Sequence, residues 1–334
     1  MSDDRRWISL SAGACLLVAL VAGPVASAGA EESAANPAPR DFGGHQFNPS
    51  VLVPDPFIST TFVNYTGAGS AVNHVVPVYN LHGEKIAEIS ANIGFLQLGF
   101  GYQQAINQRV ALRADLNGAA RVGTSAQSIL ADGVSAVYGY GAGTTVNLVR
   151  RPAWQLAATA DVRANTLFAV SPLSFVQSVV NSVAAGDTAG ALEAAEDSLL
   201  AAGDNQRVLG GIRVAYTPAS WIGFTGFIEG GVGSRFKKGS DNLGVTNLGI
   251  AASFNLAPLI RCPIGLVGSF RNETLSEKGD DLGSFQAFGL GIFYTGRRFF
   301  SVGLDNAWST VKQAQTDQKL DVVQNRLLLR YDFK

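Results

Sequence analysis

Methionine occurs once, cysteine twice and histidine three times in this 334-residue chain. Each shortage excludes a class of chemistry. Cys15 lies in a segment expected to be removed, so Cys262 stands alone and no internal disulfide framework can form. With only His45, His74 and His82, and no Cys, His or Asp at metal-ligand spacing, no metal or cofactor is predicted. No Gly-x-Ser-x-Gly elbow occurs. His74 and His82 share a stretch with Glu84 and Glu88, the one His–carboxylate pairing a hydrolase would use, and no catalytic residue is assigned. The net charge of −1 lacks the basic excess of a nucleic-acid binder, so no nucleic-acid partner is expected. Past the N-terminus there is no run of about 18 apolar residues to make a spanning helix, although 47% of the chain is hydrophobic.

What is present begins with an export signal. Arg5 and Arg6 precede an apolar stretch at Leu16–Ala22, and Ala26-Ser27-Ala28 or Ala28-Gly29-Ala30 offers small-residue cleavage sites, so residues 1–30 read as a signal peptide. Residues 31–55 carry Pro37, Pro39, Pro49, Pro54, Gly43 and Gly44. They predict an extended periplasmic lead-in rather than a packed element.

From residue 56 to 334 the chain reads as twelve strands: 56–66, 92–104, 109–123, 135–150, 154–168, 207–217, 222–235, 243–256, 264–274, 283–295, 299–312 and 320–334. Connections after even-numbered strands are brief, while those after odd-numbered ones are generally longer, notably 67–91, 124–134 and 169–206. The connection at 257–263 is the least distinct of the short ones. Fourteen strands is the alternative, because Val75–Asn80 and Lys85–Ile89 flank Leu81-His82-Gly83 like an added hairpin. Within the strands the faces alternate: Leu96, Leu98, Phe100 and Tyr102 against Gln97, Gly99, Gly101 and Gln103, and Leu248, Ile250, Ala252 and Phe254 against Asn247, Ser253 and Asn255. Residues 169–206 interrupt the β pattern with an alanine- and leucine-rich stretch read as a helical insertion, a constriction or plug at the mouth or else a surface decoration.

Aromatic residues fall at two levels. Tyr102, Trp154, Tyr216, Tyr294, Phe300 and Tyr331 adjoin short turns or the C-terminus, and Tyr138, Tyr140, Phe236, Phe270 and Trp308 adjoin the longer connections. Two such bands suit two membrane interfaces. The last nine residues, Arg326 to Lys334, put Leu327, Leu329, Tyr331 and Phe333 on one face and Arg326, Arg330, Asp332 and Lys334 on the other. In these features the chain resembles Gram-negative outer-membrane β-barrel proteins over residues 56–334. The resemblance implies an all-β, antiparallel up-and-down barrel in the outer membrane with both termini periplasmic. It also implies outer-membrane lipid and the barrel-assembly machinery as partners, with Tyr331 and Phe333 as the assembly signal. Lys334 departs from the family pattern by making the phenylalanine penultimate.

The faces assigned inward carry Arg113, Arg121, Arg163, Arg207, Arg213, Arg235, Arg271, Arg326 and Arg330, set against Asp115, Asp161, Glu229, Asp305 and Asp332. An excess of guanidinium groups would draw anions into a wet lumen. Pairing across strands in a filled barrel is the competing reading. The leading functional expectation is passive diffusion of small polar or anionic solutes. A closed structural or surface-recognition barrel is the alternative, and a membrane-embedded hydrolase stands third.

Overall fold

The computed structural model describes residues 40–79, 85–123, 134–170, 200–234, 243–277, 280–313 and 319–333. A two-residue hairpin, β1 (Asp41–Phe42) and β2 (His45–Gln46), comes first. Twelve long strands follow: β3 (Thr61–Tyr79), β4 (Lys85–Ala105), β5 (Val110–Gly123), β6 (Val134–Arg150), β7 (Trp154–Val170) and β8 (Leu200–Ala219) make up the first six. β9 (Ile222–Gly233), β10 (Leu243–Asn255), β11 (Ile264–Glu277), β12 (Asp280–Arg297), β13 (Phe300–Gln313) and β14 (Lys319–Asp332) complete them. Each pairs antiparallel with the next, and β14 pairs with β3, closing the barrel with no free edge.

The two faces of these strands have opposite solvation from a soluble barrel. In β10, Leu248 and Ile250 are exposed while Asn247 and Ser253 are buried. Leu96, Leu98, Phe100 and Tyr102 of β4 are likewise exposed on the outside. A continuous apolar exterior around a polar interior is stable only where the exterior meets lipid. Tyr294 and Phe288 lie six residues apart on β12 and both face outward. At about 3.3 Å per residue and a tilt of about 40°, that separates the two rings by roughly 15 Å along the barrel axis, within the height of a barrel's apolar band of about 25 Å.

The short connections lie at one end, as the sequence predicts. The one at 256–263 is longer because it contains a helical turn, α1 (Ala257–Ile260), ended by Arg261 in the left-handed region at φ 55°. The 67–91 stretch, expected as a long loop, is mostly strand. β3 and β4 run on through it to Tyr79 and from Lys85, and the register shifts between Ala71 and His74. That bulge breaks the period-two pattern, which is why the sequence ends the strand early and hints at a separate hairpin. The count therefore stays at twelve. Of the expected 169–206 insertion, Ala169 and Val170 belong to β7 and residues 200–206 to β8, while 171–199 lie outside the described residues.

Of the 31–55 stretch, expected as an extended lead-in rather than a packed element, residues 31–39 lie outside the described residues. From Arg40 onward the stretch packs against inward-facing side chains at the short-turn end. Leu52 and Val53 join Phe227, Ala251, Val267, Ala287, Phe293, Ala307 and Leu328 in one apolar cluster. Phe42, Phe47 and Phe57 form another with Ala215. Each fully buried Leu, Val or Phe of this plug contributes about 1.5–3 kcal/mol. Residues 56–60, expected as the start of the first strand, carry no strand pairing and link the plug to β3.

Wall glycines make the space. A Cβ on Gly223 would stand 2.5 Å from the Phe47 ring and 2.6 Å from His45. One on Gly265 would collide with the Asn48 side chain. Replacing Gly223 with valine is expected to expel the plug while leaving strand pairing intact. The check is tryptic cleavage after Arg40, slow in the wild type and rapid in the variant, with the folded barrel's electrophoretic mobility retained in both. Continued protection of Arg40 would contradict this packing.

Candidate lumen site

Inward-facing charges form two connected networks and one separate pair. The first crosses six neighbouring strands, β5 to β11 apart from β6. Asp161 on β7 receives Arg113 from β5 at 2.7 Å, Arg163 at 3.4 Å and Arg213 from β8 at 3.3 Å. Arg213 also reaches Glu229 on β9 at 3.1 Å, and Arg163 lies 3.6 Å from the same carboxylate. Glu273 on β11 holds Arg207 at 2.6 Å and Arg271 at 2.9 Å, while Arg271 Nε donates to Asn247 on β10 at 3.0 Å.

Register explains these reaches. Gly143 of β6 is paired with Arg113 on one side and Asp161 on the other. Having no side chain, it lets the guanidinium pass over β6 to a carboxylate two strands away. Arg163 and Arg207 sit directly opposite each other, a repulsive register, and separate toward different carboxylates.

The separate pair is Asp305 on β13, which is opposite Arg326 on β14 and accepts from it at 2.6 Å. The second network ties the plug to the seam. Arg330 reaches Asp55 of the plug at 2.6 Å and Asp332 at 3.0 Å. Arg40, 1% exposed, donates to Asp332 at 3.1 Å, to Ser301 Oγ at 2.6 Å and to the Phe47 carbonyl at 2.7 Å. Burial, together with the neighbouring Arg330 charge, presses the Arg40 pKa down to about 10, so it remains a cation at neutral pH. Burial opposes ionisation of Asp55, but the Arg330 guanidinium outweighs it and keeps the carboxyl below the usual carboxylate range.

Seven of the nine arginines picked out by the sequence thus have a carboxylate within 4 Å: Arg113, Arg163, Arg207, Arg213, Arg271, Arg326 and Arg330. Arg121 donates to Ser135 at 2.8 Å instead, and Arg235 lies outside the described residues. Sequence reasoning missed Glu273, Asp55 and Arg40. Glu273 was visible by parity, being two residues from Arg271 on the same strand face. Asp55 and Arg40 stand in a proline- and glycine-rich stretch with no period to read.

Above the plug lies a cavity of about 330 Å³ whose wall includes Arg113, Arg163, Arg213, Arg271 and Arg330 with Asp55, Asp115, Asn117 and Tyr65. The carboxylates Asp161, Glu229, Glu273 and Asp332 that hold these arginines are not part of that wall. Nε of Arg113 and Nε of Arg213 have no hydrogen-bond acceptor among the described residues. Asp115 is 3.7 Å from the former. Among the described residues no three His, Cys, Asp or Glu side chains cluster as a metal site. His45 belongs to the plug, the side chain of His74 is not described, and His82 lies outside the described residues.

Tyr331 and Phe333 are both exposed on the outer wall. Their rings lie 4.8 Å apart at 80°, and Phe333 approaches Tyr102 at 6.4 Å across the β14–β3 seam. Tyr102, Trp154, Tyr216 and Tyr294 are exposed with them, so the aromatic belt of the short-turn end is a property of the folded surface.

A closed, twelve-stranded antiparallel barrel with a lipid-compatible exterior and a charged interior places the chain in the class of outer-membrane β-barrels. No family model and no curated protein matches the sequence. Among solved structures, the β domain of the Bordetella autotransporter BrkA is similar at 10% identity over 82% of this chain and 100% of its own, with a TM-score of 0.47. An outer membrane channel from Pseudomonas putida F1 is similar at 11% identity over 86% and 99%, with a TM-score of 0.47. The NanC porin is similar at 7% identity over 81% and 100%, with a TM-score of 0.46. These likenesses carry no argument about function.

Asp161 is the hinge of the larger network. Asp161→Asn leaves three guanidiniums short of their shared carboxylate, and removing one partner from a buried set costs about 3–5 kcal/mol. Urea unfolding of wild type and variant in lipid vesicles measures it. A loss below about 1 kcal/mol, the range of exposed pairs, would contradict the network's burial.

Proposed function

We propose that the chain is an outer-membrane channel for small polar solutes, with a preference for anions, and that residues 40–60 close its short-turn end. The observation that carries this reading is the asymmetry of the lumen cavity. Among the described residues five guanidiniums face the space, and of the carboxylates only Asp55 and Asp115 do. Fixed forked donors in a partly desolvated chamber favour carboxylate or phosphate groups over cations. The cavity, about 330 Å³, falls at the lower end of the range for small-molecule sites, about 300–1,000 Å³. The excess of positive charge is smaller than the sequence suggests, because most arginines are paired. Selectivity is therefore expected to be modest and local to the chamber.

The start of β3, the end of β14 and the short turns share one end of the barrel: the Phe333 amide donates to the Thr60 carbonyl at 2.8 Å. Short turns are periplasmic in barrels of this class, which supports a periplasmic plug and periplasmic termini. Tyr331 and Phe333, exposed at that end, are suited to recognition by the barrel-assembly machinery. A permanently closed barrel is the second reading, and the packed plug is the observation that favours it.

Planar-bilayer recording distinguishes the two. Gly223→Val, which leaves no room for the plug, is expected to raise single-channel conductance over the wild type and to show anion preference in a salt gradient. No conductance from the plug-displaced barrel would overturn the channel reading. Cation preference would remove the role given to the arginines.

A further inference from the structure

One cluster in the plug belongs to neither ionic network. His45 is fully buried, and its ring stands edge-on to Phe47 at 4.7 Å. Its Nδ1 is 3.1 Å from the Ser220 backbone carbonyl in the β8–β9 turn. A carbonyl only accepts, so Nδ1 carries the proton. Its Nε2 is 3.2 Å from Ser253 Oγ on β10. That hydroxyl already accepts twice from the plug, from the Asn48 backbone N–H at 3.0 Å and from Asn48 Nδ2 at 3.1 Å. With its lone pairs occupied, Ser253 has only its proton to offer, and the acceptor in reach is the bare Nε2 of a neutral His45. The hydrogen bonds of His45 and Ser253 are thus all met in one protonation state, while Asn48 Oδ1 has no partner among the described residues.

We propose that this His45–Ser253–Asn48 cluster is a proton-released latch that holds the plug in the lumen at neutral pH and frees it in mild acid. Protonation would turn Nε2 into a donor aimed at an oxygen whose lone pairs are both taken, on a ring that is fully buried. A buried cation with an unmet donor is costly. The elements packed on the ring present Ser220 from the β8–β9 turn, Gly223 from β9 and Ser253 from β10, with no charged side chain among the described residues to stabilise an imidazolium. The charged neighbours on its own hairpin are committed elsewhere, Arg40 to Asp332 and Asp41 to Arg298. Burial also holds the His45 pKa below its ordinary value. The docked plug therefore binds this proton less readily than the released one. Docking is favoured above about pH 6.5 and weakens as the pH falls, with the released fraction rising by up to about tenfold per pH unit. Asp55, held low by Arg330, titrates in a more acidic window and does not share this transition.

The latch rests on the channel reading only for its consequence, a lumen that opens in acid, so the test reads plug and current separately. A nitroxide on Gln46→Cys reports plug mobility, in the refolded full-length chain with Cys15 and Cys262 replaced by serine. Gln46 is partly exposed beside His45, and its side-chain amide makes a long 3.4 Å contact to the Arg297 carbonyl. The label is expected to be immobile at pH 7.5 and mobile at pH 5.0. The pH response should vanish in His45→Gln, which stays uncharged, and Ser253→Ala should be mobile at both values. A wild-type label that does not respond to pH, or an equal response in His45→Gln, overturns the latch. Release with no accompanying rise in bilayer conductance upholds the latch and overturns the channel reading instead.

Discussion

Asp332 accepts from two guanidiniums drawn from opposite ends of the chain, Arg330 at 3.0 Å and Arg40 at 3.1 Å. Through Arg330 it is linked to Asp55 and through Arg40 to Ser301. The last strand, its neighbour β13 and the plug thereby become one body. The constraint behind this is general to the interior. A closed barrel of this diameter encloses more polar surface than its own side chains can fill, and each charge removed from water needs a partner. Here the missing partners are supplied by the segment preceding the first strand.

The division of labour follows from what each network touches. Asp161, Glu229 and Glu273 brace arginines belonging to the wall and leave their outer edges turned to the cavity. Asp55 and Asp332 brace the plug. Leu52, Val53 and the phenylalanines add non-directional burial, while the polar contacts of His45 and Asn48 fix the plug's register on β10. Solute selection and closure are thus served by separate residues, joined at Arg330, which contributes to both.

Most of the barrel was legible because a two-residue period survives in each strand. Leu248 against Asn247, or Leu327 against Arg326, is enough to assign faces, and loop parity then gives the topology. Legibility failed where the period is broken. The irregular stretch around the bulge between Ala71 and His74 hid about two thirds of β3, and the helical turn at Ala257–Ile260 blurred loop parity. The inward arginines were readable from parity, but their pairing was not, since Arg113 reaches Asp161 by passing over Gly143 from two strands away. The plug was the least legible element. Its prolines and glycines look like a linker, and only contact with Gly223, Gly265 and Asp332, far off in sequence, gives those residues a place.

The central claim is that a segment outside the strand pattern is built into the lumen. Amide hydrogen exchange of the 40–60 stretch in the folded barrel at neutral pH tests it most directly. Slow exchange at Phe47 and Asn48, whose amides donate to the Arg40 carbonyl and Ser253 Oγ, is the predicted result. Exchange at the rate of an unstructured peptide would contradict the account.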